Sequence, residues 1–308
     1  MAAPLVSVIV SCHNQGHFLG EAITSVSRST LSDVETVVVD DGSSDDTVRV
    51  ACSFGTRVVS QPSLGVAKAR NRGLQESASR YVVFLDADDA LAPGGLDVGA
   101  AEMAAHPTAA FVYGRCRMMS DDGALLPARD QTRLERDHYR ELLKRNYIWS
   151  PASVMFRRTD IERVGGFDPR FNAAADYGVY MQLARTGPVR DHAQVVAYYR
   201  KHSGNTSGDA ARMLQETLSV LRRERPFVHG DPVLLAAYYA GWQHWRNFYG
   251  SEVAARIGAH VHARQWGPAL RKAMVLGWLH PRGLTHHATK KLALTVGLKG
   301  ARGGKGQN

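Results

Sequence analysis

Four short apolar runs, at 6–10, 35–39, 57–59 and 81–85, alternate with segments of helical character, and this alternation restricts the chain more than any other feature. The runs are rich in valine, whose β-branched side chain favours strands. Between them, residues 18–27 put Leu19, Ile23 and Val26 on one stripe. A second helix starts near Thr47, where Ser44 or Asp45 stands ready to cap it, and a third covers 66–77. Strands and helices alternating at this pace predict a parallel α/β sheet. Polar turns follow the strands at 11–14, 40–45 and 86–89, so all three share one sheet edge. Open α/β sheets bind ligands beyond the carboxyl ends of their strands.

The most charged of these turns is Asp86-Ala87-Asp88-Asp89, directly after Tyr81-Val82-Val83-Phe84-Leu85. Carboxylates this close repel one another and invite a cation. Mg²⁺ takes one or two carboxylates plus substrate phosphates, and Mn²⁺ also suits oxygen ligands. Two readings stand open on these residues alone: a metal–diphosphate site, or an acidic turn that caps the next helix.

After Pro93 the pattern changes. Strands are predicted at 111–114, 153–156 and 194–199, and a loop with a charged helix within 121–148. Helices follow at 159–164, closed by Gly165-Gly166, and at 177–186. From about 209 onward, helical segments break at Arg225-Pro226, Gly230-Asp231-Pro232, Gly267-Pro268 and His280-Pro281. The expected division is an α/β domain over 1–208 and a helical, basic region over 209–308.

The composition is that of a soluble globular protein, with 44% hydrophobic and 22% charged residues. The net charge of +9 sits in the last segment, because 251–308 holds ten Lys/Arg and a single acid, Glu252. Cys12, Cys52 and Cys116 have no metal-ligand spacing, which predicts reduced thiols. No apolar stretch reaches the ~18–20 residues of a membrane span, and the start has no signal-peptide pattern. The expectation is a cytoplasmic protein. No nucleic-acid-binding fold is recognisable, so nucleic acid is not an expected partner.

The motifs together resemble family 2 glycosyltransferases, nucleotide-sugar-dependent enzymes of the GT-A fold. The matching pieces are Val6-Ser7-Val8-Ile9-Val10 with Asn14, then Val39-Asp40-Asp41-Gly42-Ser43-Ser44-Asp45. Gly65-Val66-Ala67-Lys68-Ala69-Arg70-Asn71 follows, leading to Phe84-Leu85-Asp86-Ala87-Asp88-Asp89. The last are Val164-Gly165-Gly166-Phe167-Asp168, Ala175-Asp176 and Tyr199-Arg200-Lys201-His202. They cover roughly 5–207. The resemblance implies a Rossmann-like, mostly parallel sheet flanked by helices, with the C-terminal helical region outside it.

The roles below are those the resemblance implies. Ser11 and His13 line the nucleobase pocket, with Asn14 beside them; His13 stands where relatives often have tyrosine. Asp40 contacts the base and Asp41 lies next to it. Lys68 or Arg70 faces the nucleotide phosphates. Asp86 and Asp88 form the DxD element, with Asp88 the metal ligand and Asp86 a candidate for the ribose. Asp176 is the catalytic base, although Ala175 replaces the glutamate that usually precedes it. Helix N-cap is the competing reading of Asp176. Arg200 lies over the diphosphate, and His202 completes the shell of Mn²⁺ or Mg²⁺ with Asp88. Trp149 and Ser150 floor an acceptor pocket or belong to the core.

The implied function is inverting transfer of a sugar from a nucleoside diphosphate sugar, a UDP-sugar favoured, to a saccharide or lipid-linked acceptor in surface glycan biosynthesis. The alternative is a non-catalytic nucleotide-sugar-binding protein with a decayed site, suggested by Ala175. Tyr238, Tyr239, Trp242, Trp245, Phe248 and Tyr249 recur at helical spacing and read as a packing face. The basic, tryptophan-containing stretch after them suits an anionic membrane surface, such as the inner face of the plasma membrane.

Overall fold

The computed structural model describes residues 3–279. His280-Pro281, Trp278's side chain and the basic positions from Arg282 onward lie outside what is described. The chain divides into two compact units, Met1–Asn205 and Thr206–Asn308.

The first unit runs β1 (Val6–Cys12), α1 (Gly16–Ser27), β2 (Val34–Asp40), α2 (Thr47–Ser53), β3 (Arg57–Ser60), α3 (Val66–Gln75) and β4 (Tyr81–Asp86). It continues with β5 (Ala90–Leu91), α4 (Gly95–Ala105), β6 (Phe111–Met119), α5 (His138–Lys144), β7 (Val154–Arg157), α6 (Arg158–Arg163), α7 (Ala175–Thr186) and β8 (Val189–Arg200). The eight strands form one sheet in the order β3-β2-β1-β4-β7-β6-β8-β5. The predicted alternation accounts for the β3-β2-β1-β4 half, in which every pairing is parallel. The other half is mixed: β7 is antiparallel to both β4 and β6, β8 is parallel to β6, and β5 is antiparallel to β8.

Valines and their apolar neighbours on β1, β2 and β4 are buried on both faces, as a sheet covered by helices on each side requires. Helix α3 sits very close to the sheet. A Cβ on Gly73 would lie 2.2 Å from Ile9 Cγ2, so glycine is what permits this approach. Register then sets the site: Ser11 is opposite Asp86 across β1–β4, and Cys12 is opposite Asp40 across β1–β2. The three polar strand ends therefore lie side by side.

Helix α7 starts at Ala175, two residues earlier than expected, with Ala174 as N-cap. Asp176 thus lies inside the first turn, which corrects the cap reading. Strands β6 and β8 extend well beyond the predicted 111–114 and 194–199. Helix α4 is the helix that the acidic turn is a candidate to cap; its N-cap is Gly94, with no side-chain cap bond, so the turn does not cap it.

The second unit holds α8 (Ala210–Val228), α9 (Pro232–His262) and α10 (Trp266–Leu279). Asp209 and Asp231 cap the first two through their carboxylates. On α9, Tyr238, Trp245 and Tyr249 are buried, whereas Tyr239 and Phe248 are exposed, so only part of the aromatic series is a packing face.

Candidate active site

The carboxyl ends of β1, β2 and β4 gather the polar groups. Ser11 donates from its hydroxyl to Asp86 Oδ1 at 3.0 Å. Arg70, on α3, is buried, and its Nη2 donates to both carboxylate oxygens of Asp86 at 2.7 and 3.0 Å. The guanidinium also lies 5.2 Å from the centre of the Phe167 ring. Burial alone would lower the pKa of Arg70, but the charges of Asp86 and Asp176 outweigh it and raise the value. Arg70 therefore pairs with a carboxylate of the same strand ends. Lys68 is exposed on the same helix.

Asp176 is half-buried in the first turn of α7. Enclosure by protein raises its pKa above the ordinary aspartate value, and Arg70 opposes that rise. Arg70 thus acts on two carboxylates at once, one on the DxD element and one on α7. Ala175 beside it is 1% exposed, so that position faces the protein interior.

Asp88 is buried, and its Oδ2 lies 2.8 Å from His202 Nε2. Burial raises its pKa, as does the charge of Asp86, while the hydrogen bond from His202 works the other way. Gly204 N–H donates to His202 Nδ1 at 3.2 Å, which assigns the proton to Nε2 and makes that atom the donor to Asp88. The turn is held by Asn205, which accepts from His202 N at 2.6 Å and donates to Arg200 O at 3.1 Å. The His202 ring lies 5.1 Å from that of Phe18.

Arg200 is buried and engaged by protein groups. Its Nε donates to Asp88 O at 2.8 Å, one Nη donates to Asp121 O at 2.8 Å, and the other pairs with Glu21 at 2.5 Å. It also lies over the Phe18 ring at 4.9 Å. Its observed work is to fix the backbone of the DxD turn. Asp89, absent from the expected site, is fully enclosed and accepts from Ser150 Oγ at 2.9 Å and Arg200 N at 3.0 Å. Burial and the charges of Asp88 and Asp86 raise its pKa well above normal. Ser150 is therefore tied to Asp89, and Trp149 packs partly buried against the core.

On the nucleobase side, His13 and Asn14 are exposed. Asn14 Nδ2 donates to His13 Nε2 at 3.2 Å, so His13 Nδ1–H donates to Asp41 O at 2.8 Å. The imidazole is held by both edges with its face free of either bond. Asn14 has φ 53°, and its N–H and Oδ1 bind Ser43 Oγ and Ser44 N at 2.9 and 2.7 Å. Asp40 accepts from Ser43 N at 3.0 Å. Asp41 accepts from Gln61 Nε2 and from Leu64 and Gly65 N–H at 2.7 to 2.8 Å, which pins the loop before α3.

Asn71 forms another support missed in the sequence. Its Nδ2 donates to Phe167 O at 2.7 Å and its Oδ1 accepts from Phe167 N at 2.8 Å. Gly166, at φ +69°, makes room for it, since a Cβ there would lie 2.4 Å from Asn71 Oδ1. The two motif pieces that contain Asn71 and Gly165-Gly166-Phe167 are thus two halves of one clasp.

Among the described residues, no group of three metal-ligating side chains converges. Asp88 and His202 are a pair. A pair suits a cation that completes its shell with diphosphate oxygens and water. Asp86, Asp88 and Asp89 crowd together and Arg70 pairs with Asp86 alone, so a cation beside Asp88 would relieve the repulsion that raises the Asp88 pKa.

Comparison with known proteins identifies the fold and the family. A chondroitin synthase of Escherichia coli is 29% identical over 210 residues, which are 66% of this chain and 30% of that protein. A PGL/p-HBAD biosynthesis glycosyltransferase of Mycobacterium bovis is 32% identical over 184 residues, 58% of this chain and 68% of that protein. The alignment spans between a fifth and a third of the length of the synthases it matches. Among solved structures, S. aureus TarS 1-349 superposes with a TM-score of 0.59 at 19% identity, covering 76% of this chain and 70% of that one. The mannosyltransferase PcManGT of Pyrobaculum calidifontis, solved with GDP-Man and Mn²⁺, superposes with a TM-score of 0.58 at 21% identity, covering 95% and 88%. These likenesses establish a GT-A-type fold. The model of the family described as glycosyl transferase family 2 matches residues 7–165, and the chain belongs to that family.

Proposed function

We propose that the protein is an inverting glycosyltransferase that moves a sugar from a nucleoside diphosphate sugar to a saccharide or lipid-linked acceptor in surface glycan biosynthesis. The observation that carries the reading is the grouping of Asp86 and Asp176 around Arg70, on a family member whose Asp88 and His202 meet at 2.8 Å. Similar folds were solved with UDP, UDP-GlcNAc and GDP-Man, which supports a nucleotide-sugar donor, and a UDP-sugar is the first choice.

In this reading His13 offers its face to the base, while Ser11, Asn14, Asp40 and Asp41 shape the base and ribose pocket. Asp86, held by Ser11 and Arg70, presents a fixed carboxylate to the ribose. Lys68 is available to the phosphates from the exposed side of α3. Asp176 takes the proton of the acceptor hydroxyl as its oxygen attacks the anomeric carbon. The bond from that carbon to the diphosphate oxygen breaks on the opposite face, so the configuration inverts. Arg70 favours the ionised form of Asp176 against the effect of burial. Arg200 and Asp89 hold the turn that presents Asp88. When bound, Mn²⁺ or Mg²⁺ would be held by Asp88, and by His202 in the tautomer that leaves Nε2 unprotonated, and would offset the negative charge of the leaving diphosphate.

Position 175 faces inward, so its alanine removes no carboxylate from the exposed side of the site. That weighs against the decayed-site alternative. A thermal-shift panel of nucleoside diphosphates and sugar nucleotides, with and without Mn²⁺, tests the reading. A ligand at 100 times its Kd stabilises by ~2.7 kcal/mol, a shift of several degrees. Absence of any shift across the panel would reject it.

A further inference from the structure

Helix α10 presents an apolar stripe to solvent. Trp266, Leu270 and Met274 are 65%, 63% and 59% exposed. They stand four residues apart, on one side of the helix and about 6 Å apart along its axis. Leu276 and Leu279 are buried on the other side, so the helix is apolar on both its packed and its open face. Arg271, also exposed, flanks the stripe. The helix has no acidic residue, and Glu252 is the last acid in the sequence; ten Lys/Arg follow it.

We propose that this face of α10 docks the protein on an anionic lipid surface, a proposal that rests on the reading of a lipid-linked acceptor. Tryptophan and leucine on one face with basic residues beside them suit the boundary between headgroups and acyl chains. Charge selects the partner: α10 carries Arg271 and Lys272 and no acid, and this uniformly positive sign complements acidic headgroups. A second copy of the chain would bring the same positive charge to the contact. Three side chains also fall short of the ~800 Å² per partner of a stable protein interface. No helix among the described residues is long and apolar enough to cross a membrane, so α10 lies on the surface.

The test is sedimentation of the full chain with phosphatidylcholine vesicles and with vesicles that also contain phosphatidylglycerol. The wild type should bind the mixed vesicles, lose that binding as salt is raised, and bind phosphatidylcholine alone at least tenfold less. The triple variant Trp266→Gln/Leu270→Gln/Met274→Gln should lose tenfold or more of its binding to the mixed vesicles, and Arg271→Glu should weaken it as well. Because the substituted side chains are exposed, circular dichroism and melting should match the wild type. Equal binding by the triple variant overturns the proposal. So does a concentration-dependent dimer in analytical ultracentrifugation that the triple substitution abolishes. Transfer to a soluble saccharide, followed by nucleoside diphosphate release, is measured in parallel. Vesicle binding lost with transfer kept by the wild type refutes the docking role alone; vesicle binding kept without transfer refutes the enzyme reading and leaves the lipid surface supported.

Discussion

Replacing Arg70 with methionine removes a buried cation but keeps a long side chain in its place. In the native protein the guanidinium is 2.7 Å from Asp86 and also acts on Asp176. Breaking one side of a buried ion pair costs about 3–5 kcal/mol. The Asp86 side chain is 28% exposed and keeps its bond from Ser11, so water and that hydroxyl recover part of the loss. The lower end, about 3 kcal/mol, is expected against a total stability of ~5–15 kcal/mol. The variant should fold and melt at a lower temperature. At Asp176 the rise caused by burial would then be opposed only by backbone hydrogen bonds, and the pKa would rise further. Each ~1.4 kcal/mol of lost charge interaction raises a pKa by about one unit. A general base works only when deprotonated, so activity falls as pH drops through its pKa, and a higher pKa moves that fall to higher pH. The kcat/KM profile for nucleoside diphosphate release should therefore shift its acid limb to higher pH. Arg70→Lys restores a positive charge and should bring the limb back toward the wild type, even if the melting temperature stays low. A methionine variant that melts lower yet keeps the wild-type acid limb would refute the link between Arg70 and Asp176.

The remaining predictions concern the cation and the frame. His202→Ala removes the imidazole 2.8 Å from Asp88, and the Mn²⁺ concentration for half-maximal rate should rise at least about tenfold; an unchanged requirement would exclude His202 from the shell. Asn71→Leu strips both bonds from the Phe167 backbone and should cost about 2–4 kcal/mol, read as a melting temperature lower by roughly 5–10 °C in calorimetry. An unchanged melting temperature would mean that the clasp adds nothing to stability.

The parallel half of the sheet was legible because β1, β2 and β4 are continuous apolar runs with polar stops. Helix α4 was not, since Leu96, Val98, Ala100, Ala101 and Met103 spread small and apolar groups around it and leave no stripe to read. The outer parts of β6 and β8 carry Arg115, Arg117, Arg190 and Asp191, and each extends along the predicted part of the other strand: Arg115 and Arg117 opposite Val195 and Tyr198, Arg190 and Asp191 opposite Val112 and Tyr113. At the site, the residue types at the strand ends were visible as motifs. Their partners were not, because Asp89 meets Ser150 and Arg200 across 61 and 111 residues of sequence. The pairing of Arg70 with Asp86 has the same origin, since only the fold brings α3 beside the end of β4. The start of α7 was misread by two residues, enough to turn a side chain within the first turn into an apparent cap.

The account rests on one proton transfer. In Asp176→Asn, nucleoside diphosphate release in the presence of donor, acceptor and Mn²⁺ should fall by ~10²–10⁴-fold, while donor binding measured by calorimetry stays within a few-fold of the wild type. Turnover at the wild-type rate in that variant would contradict it.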